Sequence, residues 1–275
     1  FPKKWLAKSK IDVTDEFVTG SNELVVSVDN SHREDVYPLF ADFTFYGGIY
    51  RDVYLVTVDP LHFDLLDYGS PGVYVSQERV TERDAELAIR ARVRNAAQAS
   101  EATVRVALLD AAGKTVATGQ TEEVVDGEGT LGVTLSVHAP HLWSTSDPYL
   151  YTCRVELFGS GELADSRAIP TGLRFFGFDG ERGFILNGTP TRLRGVSRHQ
   201  DREGVGNAIT REHQREDMEL IREIGANSIR LAHYQHSSFF YELCDREGMV
   251  VWAEIPYISR TGEVENWSEN AIQQM

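Results

Sequence analysis

The chain has 275 residues, of which 41% are hydrophobic and 25% are charged, and its formal net charge is −15. This composition is ordinary for a globular protein, and the acidic balance argues against nucleic acid or an anionic membrane as a partner. No apolar run approaches the roughly 18 residues of a membrane-spanning helix. A neutral ligand such as a sugar is compatible with this charge.

The N-terminal stretch FPKKWLAKSK starts with Phe1 rather than Met and lacks the apolar core of a signal peptide. We therefore expect that the natural N-terminus is processed or lies upstream of this sequence.

The two cysteines fall in different predicted elements, Cys153 in a strand and Cys244 in a helix, without zinc-type spacing. We expect both to be reduced thiols in the core. Reduced cysteines and an acidic charge favour a cytoplasmic location.

Residues 1–58 are predicted to be all-β. The stretches LVVSVDN at 24–30 and IYRDVYLVTV at 49–58 are rich in β-branched and aromatic residues, which favour strands. The pair Gly47-Gly48 between them indicates either a simple kink of the strand or a bend that directs the loop of Asp42 toward another domain. Nearby aromatic residues could stack on a sugar or fill a seam between domains: Phe40, Phe43, Phe45, Tyr46 and Tyr50.

Residues 59–170 contain short alternating segments separated by turn signals. AELAIRARV at 85–93 and TVRVALL at 103–109 each place apolar side chains on one face. A turn is predicted at 112–114, an acidic glycine-rich loop before LGVTLSV at 131–137, and a last strand in YLYTCRVELF at 149–158. Roughly seven strands without a helical period predict an immunoglobulin-like β-sandwich.

Residues 171–275 change to alternating strands and helices. Strands are predicted at 191–199, 228–234 and in MVVWAEIP. Thr210 is the predicted N-cap of a helix that ends at Gly225, and Met218, Leu220, Ile221 and Ile224 are predicted to form one apolar stripe along it. A second helix, FFYELCDRE, ends at Gly248. This alternation predicts βαβ units and a parallel sheet, the beginning of a (β/α)-barrel.

Ligands of such barrels meet the carboxyl ends of the strands. Arg198 and His199 lie at the first end, Arg230 and His233 at or near the second, and Glu254 in the third strand. Two imidazoles and an arginine could bind sugar hydroxyls or a carboxylate. Each histidine could instead be a strand-end residue bonded to the backbone.

Other chemistries have weaker support. The spacing His233-x-x-His236 does not match a helical metal motif, and no GxSxG sequence indicates a serine nucleophile. Glu242 belongs to an outer helix and cannot reach the site. Glu254 is predicted to be a structural carboxylate that pairs with a neighbouring cation.

Four stretches together resemble glycoside hydrolase family 2, and within it the bacterial β-galactosidases. They occupy residues 42–55, 142–152, 184–200 and 225–256, and read DFTFYGGIYRDVYL, LWSTSDPYLYT, FILNGTPTRLRGVSRHQ and GANSIRLAHYQHSSFFYELCDREGMVVWAEIP. The resemblance implies part of a jelly-roll sugar-binding domain at 1–58, an immunoglobulin-like sandwich at 59–170, and the first part of a (β/α)8 catalytic barrel at 171–275.

The resemblance also implies roles for individual residues. Asp42 matches an aspartate that binds hydroxyls of galactose, and His233 matches a sugar-binding histidine. His199 matches a histidine that binds substrate and stabilises the transition state. Arg230 matches an arginine that keeps the nucleophile ionised and oriented, which an adjacent cation can do by lowering a carboxyl pKa.

The chain also departs from the family pattern. The family's acid/base and nucleophile glutamates are expected beyond the final ENAIQQM, so we expect this chain alone to be inactive. No cofactor is predicted for this chain, because Ile258 and Arg260 stand where some members have Mg²⁺ ligands, although Mg²⁺ stays possible in the full-length parent. Position 200 is Gln, where Glu is common.

We interpret the parent as a retaining enzyme that cleaves terminal β-D-galactosides through a covalent glycosyl-enzyme. Its expected partners are a galactoside or oligosaccharide substrate, with a homo-oligomer left open and no nucleic acid or membrane. The alternatives are a β-glucuronidase of the same family, a non-catalytic carbohydrate-binding module, and a purely structural fragment.

Overall fold

We describe a computed structural model of the chain, which covers residues 10–32, 40–41 and 43–256. Contacts divide the chain into two compact units. The first comprises residues 1–55, 194–241 and 251–275, and the second comprises residues 56–193 and 242–250. The domain boundaries proposed from the sequence stay predictions. Neither helix in the described ranges is both long and apolar enough to cross a membrane.

The second unit is built on a six-stranded antiparallel sheet. Its strands are β1 Leu61–Phe63, β2 Val73–Val80, β3 Asp84–Leu109, β4 Thr115–His138, β5 Tyr151–Gly159 and β6 Glu162–Thr171. The order β1-β3-β5-β6 forms the main path, and β2 and β4 also pair with β3. The main hydrophobic core of the described residues lies in this sheet, which agrees with the predicted all-β region.

Strand β3 differs from the prediction because it is continuous. Its alternating apolar residues are buried as predicted, but the two predicted strands at 85–93 and 103–109 are joined in one. The pairing with β4 shifts register between Asn95 and Ser100. The Asn95 side chain is buried there, with the two N–H groups of Nδ2 shared among three acceptors, Gln98 O, Ser100 Oγ and Val125 O, and with Oδ1 accepting from Ala97 N. A bulge whose polar groups are satisfied thus replaces the expected turn.

Strand β4 also runs through the segment that was predicted to be an acidic glycine-rich loop, so that prediction was wrong. The long pairing with β3 supplies backbone hydrogen-bond partners that composition does not reveal. The turn at Gly113 is confirmed: its φ of +80° is accessible to glycine, and its N–H donates to Asp110 O.

The hairpin β5–β6 was not predicted beyond its first strand. Ser160 and Gly161 connect the strands with φ of +52° and +85°, the signs of a type I′ turn. A Ser-Gly pair between alternating segments was the available signal. Cys153 and Cys244 are both free and buried, as predicted, and burial raises the pKa of the Cys153 thiol to about 11.

A small antiparallel sheet follows, which the sequence did not predict. It consists of β7 Phe176–Asp179, β8 Gly183–Leu186 and β9 Thr189–Pro190, in that order. Its strands are short, and this explains why no clear period of two is visible.

The alternating elements predicted near the C-terminus are confirmed. They are β10 Gly195–Arg198, α1 Arg211–Glu223, β11 Ser228–Leu231, α2 Ser238–Glu247 and β12 Val250–Ala253, with sheet order β10-β11-β12. Strands β10 and β11 are parallel. Thr210 caps α1 in a capping box with His213, and Gly225 has φ of +77° after its end.

One detail of α1 was predicted wrongly. Met218 is buried, but Leu220 and Ile224, which were assigned to the same apolar stripe, are 56% and 70% exposed. Residues two apart lie about 200° around a helix axis, so Met218 and Leu220 belong to opposite sides.

The strands predicted in residues 24–30 and 49–58 are not formed. The described N-terminal residues contain a 3-10 turn, Thr14–Glu16, and no strand. Most of the apolar residues of both stretches are exposed, with Leu24 at 72%. An extended segment becomes a strand only when a neighbouring strand pairs with its backbone, and the described residues provide none here.

Candidate active site

Two histidines meet at adjacent strand ends, as predicted. His199 directly follows β10, and His233 lies two residues after the end of β11. Because these strands are parallel neighbours, their carboxyl ends lie side by side. The imidazole centroids are 5.1 Å apart with the rings inclined at 72°, so the two side chains are in edge-to-face contact.

Arg230 and Glu254 form an ion pair beside His233. Arg230 Nε donates to Glu254 Oε1 over 2.6 Å, and Nη2 donates to Oε2 over 3.1 Å. Glu254 lies just after β12 rather than within a strand, and its side chain is 19% exposed. The pairing predicted for this carboxylate is confirmed, since both oxygens of Glu254 accept from one guanidinium.

The Nδ1 atom of His233 contacts both members of this pair. It lies 2.9 Å from Arg230 Nη2 and 3.1 Å from Glu254 Oε2. A neutral ring nitrogen can accept from the arginine or donate to the carboxylate, but it cannot do both at once. The tautomer of the His233 ring therefore decides which partner binds Nδ1.

An aromatic side chain from the N-terminal segment covers the two histidines. Phe43 lies nearly parallel to His233, with centroids 6.2 Å apart, and edge-on to His199 at 5.5 Å. It also contacts Tyr234 at 5.5 Å. The preceding residue, Asp42, was predicted to bind sugar hydroxyls and lies outside the described residues.

Arg198 does not join this site, although the sequence placed it at the same strand end. Its side chain is 6% exposed, donates to Asp217 through Nε and Nη2 at 2.9 and 2.6 Å, and stacks over Phe240 at 3.9 Å. Its Nη1 lies 3.1 Å from His236 Nδ1. The last residue of β10 points inward because alternate residues of a strand face opposite sides.

His236 is a buried structural residue. Its Nε2–H donates to Ala232 O, which leaves Nδ1 to accept from Arg198. Burial lowers the pKa of His236 to about 3, and it stays neutral. The described ranges contain no cluster of three or more His, Cys, Asp or Glu that could bind a metal, while Ile258 and Arg260 lie outside them.

Two further residues at the site were not recognised as such from the sequence. Arg51 donates to Asn207 O and Ile209 O through Nη1, at 2.7 and 3.3 Å, and to Gln200 Oε1 through Nη2 at 3.0 Å. Burial lowers the pKa of Arg51. An arginine amid apolar residues at 49–58, and a glutamine directly after His199, were the only sequence signals.

Two protein-family models match the chain one after the other. Residues 71–174 match the model described as glycosyl hydrolases family 2. Residues 180–272 match the model described as glycosyl hydrolases family 2, TIM barrel domain. The six-stranded sheet lies largely within the first match, and the site residues His199, Arg230, His233 and Glu254 lie within the second.

Relatives extend the similarity over nearly the whole chain. A beta-glucuronidase of Bacteroides fragilis is 38% identical over 96% of this chain and 39% of its own length. A beta-galactosidase of Thermoanaerobacter pseudethanolicus is 28% identical over 97% of the chain and 35% of its own length.

Among solved structures, one is described as Bacteroides uniformis beta-glucuronidase 2 covalently bound to cyclophellitol-6-carboxylate aziridine. It superposes with a TM-score of 0.83 at 36% identity, over 90% of this chain and 31% of that one. The chain thus spans less than two-fifths of the length of each of these relatives. With both family models matched in sequence order, the chain belongs to glycoside hydrolase family 2.

Proposed function

We propose that the chain is the sugar-binding part of a retaining β-glycosidase. The observation that carries this proposal is the group of His199, His233, Arg230 and Glu254 at the carboxyl ends of adjacent strands. Ring nitrogens can donate to or accept from sugar hydroxyls, and Phe43 limits the access of water from one side.

Glu254 acts in this proposal as a positioning residue. Both of its oxygens accept from Arg230, and one also contacts His233. A carboxylate held in this way fixes the orientation of the arginine and the imidazole. Retaining cleavage needs two carboxyl groups about 5–5.5 Å apart on either side of the scissile bond. Glu254 is one carboxyl group and is held by Arg230 through both oxygens, so we expect residues 1–275 to bind a sugar without hydrolysing it.

The terminal sugar that we favour is a β-D-glucuronide. The relative from Bacteroides fragilis carries that activity in its name, and the Bacteroides uniformis enzyme is bound covalently to a carboxylate-bearing cyclophellitol. The covalent bond in that enzyme supports a retaining mechanism. A β-D-galactoside is the second candidate, which the sequence context WAEIPYIS and AHYQHSS favours and which a relative named beta-galactosidase supports.

The test is a titration of the purified 275-residue chain with phenyl β-D-glucuronide and phenyl β-D-galactoside, followed through the imidazole signals in NMR spectra. We expect the signals of His199 and His233 to shift with one of the two sugars. His233→Ala should abolish the response, whereas His138→Ala, which removes an exposed histidine of the second unit, should leave it intact.

Hydrolysis of the corresponding 4-nitrophenyl glycosides is measured on the same samples, prepared in a host without either activity. Turnover that disappears in Glu254→Gln would show that this carboxylate takes part in bond cleavage, contrary to the proposal. The absence of any shift with either sugar would refute a sugar site in this chain.

A further inference from the structure

The residue that directly follows His199 is buried and takes part in four hydrogen bonds. Gln200 is 2% exposed. Its Oε1 accepts from Arg51 Nη2 at 3.0 Å and from Ser237 N at 3.1 Å. Its Nε2 donates to Gln235 O at 3.3 Å, and its backbone N–H contacts the Tyr234 hydroxyl at 3.4 Å. One amide therefore joins three separate stretches of the chain.

Each of these three stretches contributes a side chain to the candidate site. The N-terminal segment contributes Phe43, the residues after β10 contribute His199, and the residues after β11 contribute His233. The hydrogen bond between Arg51 and Gln200 is important for placing the N-terminal segment, because this segment has no strand pairing in the described residues. Side-chain contacts must then hold it in place.

A second contact supports the same attachment. The ring of Tyr46 lies against Gly206, where an added Cβ would be 2.8 Å from the ring. Together with the bonds from Arg51 to the carbonyl oxygens of Asn207 and Ile209, this contact attaches the N-terminal segment to the loop that leaves His199. Gln200 links this attachment to the loop of His233.

We propose that Gln200 is a positioning residue that sets the placement of His199 relative to His233, and that in this chain Gln235 O favours an amide over the glutamate that is common at this position in the family. The amide oxygen serves the two donors, while the amide nitrogen faces a carbonyl oxygen. A glutamate could still accept from Arg51 and Ser237, but its second oxygen would face Gln235 O with no proton between them. Gln200→Glu would therefore keep the hydrogen bonds from Arg51 and Ser237 and lose the one to Gln235 O.

Two variants remove either all of these side-chain hydrogen bonds or only the donated one, and a third variant serves as the control. Gln200→Met removes every side-chain hydrogen bond at similar volume, and Gln200→Glu removes only the donor. Gln214→Met is the matched control, because Gln214 is also a buried glutamine of the first unit but its Oε1 has no hydrogen-bond partner within the described part of the chain.

The first readout is the set of nuclear Overhauser contacts made by ring protons in the chain labelled at His, Tyr and Gly. Wild type and Gln214→Met should show contacts between His199 and His233, and between Tyr46 and Gly206. Gln200→Glu should keep the second contact and lose the first. Gln200→Met should lose both while the signals of the second unit stay unchanged. If Gln200→Met does not fold, Gln200→Glu decides alone.

The second readout rests on the proposed function: the affinity for whichever phenyl glycoside the wild type binds should fall about tenfold in Gln200→Glu, the effect of roughly one lost hydrogen bond. Unchanged ring contacts and affinity in Gln200→Glu would overturn the positioning role. If wild type binds neither sugar, the proposed function fails, but the ring contacts still test Gln200 independently.

Discussion

The buried ion pair between Arg198 and Asp217 gives a quantitative test of how the first unit is held together. Asp217→Ala would remove the carboxylate that the Arg198 guanidinium, which is 6% exposed, binds through Nε and Nη2. The His236 ring nitrogen and the face of Phe240, which also contact Arg198, carry no negative charge. Removing one partner of a buried ion pair costs about 3–5 kcal/mol.

The exposure of Asp217 reduces this figure. Its side chain is 32% exposed, so water can enter the space that the carboxylate leaves. We therefore expect a loss of about 2–3 kcal/mol in the free energy of unfolding of the first unit. Expressed as hydrogen exchange, this loss corresponds to about 30- to 160-fold faster exchange of the α1 amides that open only with the unit.

Hydrogen exchange measured by mass spectrometry suits this prediction because it reports on each unit separately. Peptides from α1 and β10 should lose protection, while peptides from β3 and β5 serve as an internal reference in the second unit. The matched control is Glu219→Ala, which removes the same charge from an exposed position of the same helix and should change stability by less than about 0.5 kcal/mol. Equal protection in the two variants would refute the view that Arg198 depends on its carboxylate.

Three further predictions concern buried or capping residues of the same unit. Gln214→Met should raise the melting temperature slightly, because it removes a buried oxygen that has no hydrogen-bond partner among the described residues, while Thr210 O, which loses the bond from Gln214 Nε2, keeps the one from Gln214 N. Thr210→Ala should cost about 1 kcal/mol of stability in urea unfolding, because the Thr210 hydroxyl accepts from His213 N at the start of α1. Burial lowers the pKa of His236 from 6.5 to about 3, so the unfolded state binds a proton that the folded state does not. The contribution of His236 to the free energy of unfolding is then fully present above pH 6.5 and falls by up to about 1.4 kcal/mol per pH unit as the pH drops towards 3. This dependence on pH should be weaker in His236→Gln.

Each of these three has a clear opposing outcome. A lower melting temperature in Gln214→Met would mean that its oxygen is satisfied, for example by water. A Thr210→Ala variant as stable as Thr210→Ser would show that the cap contributes nothing. An unchanged pH slope in His236→Gln would show that His236 is accessible to protons in the folded chain.

Local patterns in the sequence determined much of the architecture. The alternation in β3 identified its buried face, and the residues Thr210 and Gly225 marked both ends of α1. The alternation of strands and helices identified parallel β10 and β11 and brought His199 and His233 together. These features depend on residues within one element or on strand ends that a parallel sheet aligns by necessity, so a sequence is sufficient to predict them.

Other features depended on partners distant in the chain, and only the tertiary structure decided them. The stretches at 24–30 and 49–58 have the composition of strands but form none, because composition cannot supply a neighbouring strand. Arg198 faces inward to Asp217, and Gln200 binds Arg51 across 149 residues of sequence. The sequence does not distinguish the roles of polar side chains at adjacent positions. Whether one of them is buried in hydrogen bonds or faces the candidate site depends on the donors and acceptors that folding places around it.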